Sequence, residues 1–409
     1  MAANALESRD FRLLFAGSVL VSFVMPMQFL TQVFWVQERH PEREVLFVGL
    51  LGAARGSAMI AFGLIGGALA DRLERRRLLI GCQVAALAIN GGVAALMLAE
   101  PFGAANVAVL LGLTFAAAAN MAVDQPARQA ATPAIVGMAA LPSAITLQMV
   151  AQQVTFPLAL PLVGFLNSRM EPGEVYALTL LAWAGVLPLL FALRFRSRGQ
   201  GGAGAGVVRN AWAGLRYTRG EPTIFAVIVL VLAIQLLGMP GPASLGPSWM
   251  RNVLGLSETQ FGFMAMTWGL GTMAASVFYF VRNDLPGRGL TLWGAGVGFG
   301  LCALVFAYSR SVPLTAVANF GLGFALVSTM VSSSTIAQQR VEEAMRGRVM
   351  GLFPLAMGLA MLAAFPVGAA AQAASMEAVF PVMAWATLAA VAGSMALQPG
   401  LRRVAPRTA

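Results

Sequence analysis

One arginine stands deep inside an apolar stretch of the sequence. Arg55 lies about ten residues into the apolar run 45–70. Near the centre of a bilayer an arginine costs about 2.5–3.5 kcal/mol on insertion scales, so we expect its guanidinium to face a hydrated cavity or a polar partner. There it can attract an anionic group of a ligand, or it can act structurally by bonding to helix carbonyls.

Amide side chains accompany this arginine at helical spacing. Gln28 and Gln32 share one helix face. Gln148 and Gln152 repeat that spacing in a later run. Further candidates inside apolar runs are Asn120, Gln235, Trp268 and Asn319. Together with the arginine, these side chains predict a site for a polar or amphipathic small molecule, although each amide can instead bond across helices for packing.

The residues needed for covalent or metal chemistry are scarce. A membrane enzyme requires paired carboxylates or histidine metal ligands clustered near one interface. The sequence has a single histidine, His40, and none of its 17 acidic residues lies deep in an apolar run. We therefore expect no catalytic residue, no cofactor and no metal site.

The chain that must position the candidate residues is strongly apolar. Of its 409 residues, 58% are hydrophobic and 11% are charged, whereas soluble domains carry about 25% charged residues. A membrane-spanning helix needs about 20 apolar residues. We read twelve such runs, at 11–36, 45–70, 78–98, 104–123, 143–166, 175–194, 223–243, 260–280, 289–309, 313–335, 349–371 and 378–398. The sequence therefore predicts an all-α membrane protein with twelve transmembrane helices.

The distribution of arginine predicts the orientation. The net charge of +10 comes from arginines that cluster between the apolar runs, and this arrangement argues against nucleic-acid binding. With the N-terminus inside, 21 arginines fall on the cytoplasmic side and 5 on the opposite side. Positive residues collect in cytoplasmic loops. Both termini are therefore expected in the cytoplasm.

A glycine-rich connection divides the runs into six and six. Residues 195–222 form this expected cytoplasmic linker between an N-terminal bundle, 1–194, and a C-terminal bundle, 223–409. A phosphate-binding loop would need a following Gly-Lys-Ser/Thr, and the sequence contains no lysine. The fourth and tenth runs end in similar polar stretches. This echo predicts two pseudo-symmetric halves with a binding site at their interface near the bilayer midplane.

The strongest motif is Gly-Gly-Ala-Leu-Ala-Asp-Arg-Leu-Glu-Arg-Arg-Arg at 66–77. It resembles the signature loop of the major facilitator superfamily, Gly-x-x-x-Asp-Arg-x-Gly-Arg-Arg, with Glu74 in place of the second glycine. The residues in register are Gly67, Asp71, Arg72, Arg75 and Arg76. The resemblance implies a conformational latch, in which the Asp71 carboxylate faces the N-terminal end of the eleventh crossing near Arg348. It also implies that Arg72 or Arg76 pairs with Asp124.

Further stretches narrow the resemblance to one branch of that superfamily. Phe11–Gly17, the setting of Arg55, Asp124–Pro133 and Arg346–Gly351 are similar to enterobactin exporters and to macrolide or tetracycline efflux proteins. The fifth run keeps part of the drug-antiporter pattern Gly-Pro-x-x-Gly-Gly. The matching or kink-forming residues are Pro157, Pro161 and Gly164. They predict a bent helix that serves either as a hinge against leakage or as a packing kink.

The resemblance implies a twelve-helix secondary transporter of the bacterial inner membrane. We expect it to export an amphipathic small molecule of the drug or siderophore class by alternating access, coupled to protons, as a monomer surrounded by lipid. The coupling proton has no obvious carrier except Asp124 or Glu38 near the membrane surfaces. Lysophospholipid movement, uptake of another solute and a non-transporting receptor are the alternatives.

Overall fold

The structure is a computed structural model that describes residues 4–195, 197, 207–282 and 288–397. For some residues within the helices only the backbone is described, among them Gly67, Asp71 and Arg72. The elements of the described part are α-helices, joined by short turns and by 3-10 and π segments.

The N-terminal helices are long and closely spaced along the chain. They are α1 (Arg9–Arg39), α2 (Glu44–Arg72), α3 (Arg75–Ala99), α4 (Asn106–Asn167) and α5 (Pro172–Phe191). Single 3-10 turns at Ala5–Glu7, Pro41–Arg43 and Gly103–Ala105 precede α1, α2 and α4.

The C-terminal helices begin with an element that the predicted runs do not contain. They are α6 (Val207–Gly220), α7 (Pro222–Ala233), α8 (Gly246–Asn252), α9 (Glu258–Val281), α10 (Arg288–Tyr308), α11 (Val312–Arg340), α12 (Glu343–Met350), α13 (Leu352–Ala373) and α14 (Met376–Leu397). Two π-helical segments, Ile234–Gly238 and Gly241–Leu245, continue α7 towards α8. The seventh crossing therefore extends beyond the predicted 223–243.

Polar residues fix several helix ends. The Ser8 hydroxyl accepts a hydrogen bond from the backbone N–H of Phe11 at 3.3 Å, which caps α1. Glu171 and Glu174 form a reciprocal capping box at the start of α5, where Pro172 occupies a first-turn position that needs no N–H. Each cap pairs backbone groups that a helix terminus leaves unsatisfied.

Helix α4 contains two membrane crossings rather than one. Its 62 residues would extend about 90 Å if straight, three times the hydrocarbon thickness of about 30 Å. Gly137 interrupts it with φ 71° and ψ 170°, a conformation that is essentially restricted to glycine. The described residues contain eleven candidate spans, and counting α4 as two gives the twelve predicted crossings. The connection between them is helical on both sides of Gly137, which the separate runs 104–123 and 143–166 did not indicate.

The chain folds as two compact units. Unit 1 comprises Met1–Glu42, Ala54–Gly204 and Ser257–Phe263, and unit 2 comprises Arg43–Ala53, Ala205–Leu256 and Met264–Ala409. The core of unit 1 includes the fully buried Leu14, Leu79 and Val186. In unit 2, the ring of Phe380 packs against Trp249 and Phe306, with centroids 5.8 and 5.3 Å apart. Each unit therefore has an apolar core of its own.

Candidate functional site

The guanidinium of Arg55 is held on α2 inside unit 1. Its Nη2 donates a hydrogen bond to Oε1 of Gln32 on α1 at 2.8 Å. Its Cζ lies 4.4 Å from the ring centroid of Phe29, also on α1, a cation–π distance. Among the described residues Arg55 forms no ion pair with a carboxylate. The arrangement orients a cation without neutralising it.

A chain of hydrogen bonds continues from this arginine through the bundle. The amide Nε2 of Gln32 donates to the Tyr176 hydroxyl on α5 at 3.3 Å. That hydroxyl donates to Oδ1 of Asn90 on α3 at 2.8 Å. Asn90 in turn donates to the carbonyl of Ala86 at 2.8 Å. We call Arg55, Gln32, Tyr176 and Asn90 the arginine network. It connects four helices. Because each group donates to the next one, the successive hydrogen bonds strengthen one another.

Two further hydrogen bonds connect helices in the same region of unit 1. Nε2 of Gln28 donates to the Thr179 hydroxyl at 2.9 Å, one turn from Tyr176. Nδ2 of Asn167 donates to the Thr31 hydroxyl at 3.4 Å. Buried polar groups need such partners, because an unsatisfied one costs about 1–3 kcal/mol. The first helix is thus fixed in rotation, with Gln28 and Gln32 both facing α5.

A guanidinium in this setting can bind an anion. It carries five N–H donors in a planar fork that matches a carboxylate or phosphate, and the bond to Gln32 uses one of them. The aromatic face of Phe29 offers an apolar surface beside the charge. A ligand with an anionic group and an apolar body would satisfy both features.

Other candidate residues in unit 1 do not join the arginine network. Gln148 donates to the Thr132 hydroxyl at 3.2 Å, across the break at Gly137. Gln152 is exposed. Asn120 donates to the carbonyl of Cys82 at 3.0 Å, which ties α4 to α3. Gln148 and Asn120 therefore make packing bonds of the kind that the sequence left open.

The candidates in unit 2 are separate from one another. Asn319 of α11 donates to the Met264 carbonyl and to the Thr267 hydroxyl at 2.9 and 3.0 Å, both on α9. Gln235 is buried in the first π segment, and its Oε1 has no hydrogen-bond partner among the described residues. Trp268 is partly buried on α9. Of these three, Gln235 has an unused buried acceptor.

The predicted latch has a different internal pairing from the expected one. Asp124 pairs with Arg128, four residues along α4, and both side chains are buried. Arg76 instead donates to the Phe191 carbonyl at 2.8 Å. Residues four apart lie on one helix face, so Arg128 reaches Asp124 without any inter-helix alignment. Arg128 also approaches Gln83 of α3 at 3.4 Å. Of the two expected partners of Asp124, Arg76 therefore bonds elsewhere, whereas the pairing with Arg72 stays a prediction because that side chain lies outside the described ones.

The remaining latch residues are only partly described. Gly67, Asp71 and Arg72 lie outside the described side chains, so their expected contacts are not placed. Arg75 donates to the Ser197 hydroxyl at 2.9 Å, near the end of unit 1. Arg348 contacts the Met345 sulfur at 3.3 Å within α12.

The predicted hinge residue Gly164 lies at a close helix contact. A Cβ on Gly164 would lie 3.0 Å from Cα of Gly262 on α9, and a Cβ on Gly262 would lie 2.5 Å from the Leu160 carbonyl oxygen. Backbone therefore meets backbone at this contact, which only glycine permits. Within α4 the residue with non-helical dihedrals is Gly137, twenty residues before Pro157. The break at Gly137 lies between the fourth and fifth crossings, so the bend that Pro157 and Pro161 predict within the fifth crossing stays a prediction.

Replacing Gly262 by alanine should separate α4 from α9. The added Cβ would press against backbone atoms that have no rotamer to change, and we expect the free energy of unfolding to fall by about 1–3 kcal/mol. Gly112→Ala is the matched control on α4, since nothing lies within 4 Å of its Cβ position. That control should gain about 0.5–1 kcal/mol from helix propensity. Unfolding of both purified variants in the same detergent tests the difference; equal stability would contradict the contact.

Sequence reasoning missed Tyr176, Asn90 and Thr179. Tyr176 and Thr179 lie three residues apart in the run 175–194, and Asn90 lies in the run 78–98, in each case among mostly apolar residues. The signal that could have found Asn90 and Tyr176 is their polarity at a depth where lone amides and hydroxyls need partners. Arg128 was identifiable from its four-residue spacing to Asp124.

Solved structures with the same fold are numerous, at low sequence identity. The nucleoside transporter NupG has a TM-score of 0.77 at 12% identity, over 95% of this chain and 99% of that chain. A peptide transporter POT in complex with sulfate has a TM-score of 0.72 at 13% identity, over 97% and 96%. The human organic anion transporter MFSD10 has a TM-score of 0.65 at 18% identity, over 94% and 97%. No curated protein sequence matches the chain at a significant level.

These likenesses define the class of protein. The all-helical fold is that of the major facilitator superfamily, and the chain is a secondary transporter rather than an enzyme. A family model described as a transmembrane secretion effector matches residues 2–403. The chain therefore belongs to that family of the major facilitator superfamily. The expected fold class and the expected absence of enzymatic activity are confirmed.

Proposed function

We propose that this secondary transporter exports an amphipathic small molecule that carries an anionic group, of the drug or siderophore class. The observation that supports this proposal most is the guanidinium of Arg55, which has no carboxylate partner among the described residues. Within a membrane helix, a partly buried cation that no described carboxylate pairs with is expensive. Binding an anionic ligand offsets that cost.

The site would recognise two parts of such a ligand. The free N–H groups of Arg55 bind the anion, and the ring of Phe29, 4.4 Å from the guanidinium carbon, contacts the adjoining apolar part. Gln32, held in place by the hydroxyl of Tyr176, keeps the guanidinium in one orientation. A fixed cation loses less entropy on binding than a mobile one.

The cellular setting follows from the arginine distribution. The chain would lie in the bacterial inner membrane with both termini in the cytoplasm, as the 21 to 5 bias of arginine indicates. Residues 1–194 and 223–409, joined by the linker 195–222, would provide alternating access as a monomer.

A pair of matched ligands tests the substrate class. A fluorescent amphipathic carboxylic acid and its methyl ester differ only in charge, and both can be loaded into proteoliposomes that contain the purified protein. We expect protein-dependent efflux of the acid and at least about tenfold slower efflux of the ester, because the ester cannot accept a charge-assisted bidentate pair from Arg55. Equal protein-dependent rates would contradict an anion site. Flux of lysophospholipid alone would favour the alternative substrate, and binding without flux would indicate a receptor.

Proton coupling is part of the same proposal. Of the two candidate carriers, Asp124 and Glu38, Asp124 is buried among the described residues of unit 1. Export of the acid should move a pH-sensitive dye in weakly buffered vesicles, and the movement should be lost in the double variant Asp124→Asn with Arg128→Gln, which removes the carboxylate without leaving the Arg128 guanidinium buried and unpaired. Acid efflux without any proton movement would leave facilitated diffusion or another coupling ion.

A further inference from the structure

Helix α6 has two faces with different roles. On its inner face Gly214 packs against α12, where a Cβ would lie 2.7 Å from the Arg348 carbonyl oxygen. Thr218, one turn later, is fully buried, and the Tyr217 hydroxyl accepts a hydrogen bond from the Glu342 backbone at 3.4 Å. These contacts determine which side of the helix faces away from the protein.

The outer face carries an aromatic side chain and two cations. Trp212 is 63% exposed, and Arg216 and Arg219 follow it at spacings of four and three residues, both exposed. Residues at these spacings lie on one side of a helix. Together with Leu215 they line a surface cavity of about 280 Å³. The outer face therefore combines an indole, an aliphatic side chain and two guanidinium groups around one recess.

Within the described residues, neither cation is neutralised by a carboxylate. The sequence of α6, Val-Val-Arg-Asn-Ala-Trp-Ala-Gly-Leu-Arg-Tyr-Thr-Arg-Gly, contains no carboxylate. In the part of the chain that the structure describes, Arg216 and Arg219 form no ion pair, and neither does the neighbouring Glu221. Two exposed guanidinium groups beside a recess can bind a phosphate bidentately.

The position of α6 along the chain puts its C-terminal end next to a membrane span. Pro222, two residues after the last residue of α6, begins a candidate membrane span that continues to Asn252. Because only Glu221 separates α6 from the start of this span, the last turns of α6 lie close to the level of the lipid headgroups. Tryptophan is enriched at that level, and arginine there is attracted to anionic lipid.

We propose that Trp212, Leu215, Arg216 and Arg219 form a binding site for the headgroup of an anionic phospholipid. The two guanidinium groups bind the lipid phosphate, and the indole with Leu215 contacts the glycerol and the upper acyl region. The charge of the recess selects anionic over zwitterionic lipid. This site is separate from the arginine network of unit 1 and does not depend on which substrate is transported.

Native mass spectrometry of the purified protein tests the site directly. The protein is titrated in detergent with phosphatidylglycerol or with phosphatidylcholine of the same acyl chains, and bound lipids are counted. We expect preferential binding of phosphatidylglycerol by the unmodified chain. Because each arginine near an anionic lipid contributes about 1 kcal/mol, the double variant Arg216→Gln with Arg219→Gln should bind it about 30-fold more weakly.

Two further variants separate charge at this site from charge in general. Arg216→Lys with Arg219→Lys keeps both cations and should retain most of the binding. Arg43→Gln with Arg169→Gln removes the same charge from two exposed arginines at other helix ends and should bind phosphatidylglycerol as the unmodified chain does.

Specific outcomes overturn the assignment. Unchanged phosphatidylglycerol binding in the folded Arg216→Gln and Arg219→Gln double variant would exclude this face as the lipid site. An equal loss in the Arg43 and Arg169 control would mean that the effect is one of net charge. Inorganic phosphate that displaces the lipid at equal concentration would assign the recess to a soluble anion instead. Lipid binding is measured without any transport, so a failed transport proposal leaves this test intact.

Discussion

Arg55→Gln should abolish transport of an anionic substrate while leaving the protein folded. Removing one partner of a buried, charge-assisted pair costs about 2–5 kcal/mol, which weakens substrate binding at least about 30-fold. The hydrogen bonds from Gln32 to Tyr176 and from Tyr176 to Asn90 do not involve position 55, so this part of the arginine network stays connected. Efflux of the fluorescent acid from proteoliposomes, at matched protein content, measures the loss.

The stability of the same variant separates a ligand-binding arginine from a structural one. A guanidinium near the bilayer centre costs about 2.5–3.5 kcal/mol on insertion scales, so its removal should leave the free energy of unfolding equal or higher. Arg55→Lys keeps the charge without the planar fork and should retain part of the flux. A strongly destabilised Arg55→Gln, or full transport by a stable one, would return this residue to a purely structural role.

Asp124→Asn should destabilise unit 1 by about 3–5 kcal/mol. The substitution leaves the guanidinium of Arg128 buried without its carboxylate, and breaking a buried ion pair has a cost of that size. The loss arises because Gln83, at 3.4 Å from Arg128, offers only a neutral acceptor. Chemical unfolding of the purified protein in a fixed detergent gives the value.

The double variant and an exposed pair provide the controls. Asp124→Asn with Arg128→Gln removes both charges and should recover most of the stability, since replacing a whole buried pair is often nearly neutral. Arg310 and Glu377 form an ion pair at 3.4 Å in which both side chains are more than half exposed. Glu377→Gln should therefore cost less than about 1 kcal/mol. A similar small loss in Asp124→Asn would contradict the described pairing.

Much of the fold could be predicted from the sequence, because a membrane imposes its thickness on helix length. The predicted run 289–309 corresponds closely to α10, and 378–398 to α14. The break at Gly137 could not be predicted from hydropathy, since a glycine inside a helical pattern does not reveal its φ. The amphipathic α6 also lay within the expected linker, because a helix with arginines on one face does not form an apolar run.

The candidate site was predicted only in part, because the rotation of each helix decides which side chains meet. Arg55, Gln28 and Gln32 are unusual in an apolar run, and the structure brings Arg55 and Gln32 into direct contact. Which side chains complete the network depends on helix rotation, which a single run does not determine. Tyr176 and Asn90 come from helices far apart in sequence, so only packing places them beside Gln32. Asp124, by contrast, pairs with Arg128 because the two residues lie four apart on one face of the same helix.

The glycine contacts have a mechanical consequence. Gly164 faces Gly262, and in unit 2 Gly49 faces Gly368, where a Cβ on Gly49 would lie 2.6 Å from the Ala364 carbonyl oxygen. Where side-chain ridges of one helix pack into grooves of the next, the interlocked side chains resist displacement along the helix axis. At a glycine contact backbone meets backbone, and no side chains interlock. At such a contact one helix can shift along the axis of its neighbour without any side chain changing rotamer. The resistance to small axial shifts is therefore low at these two contacts.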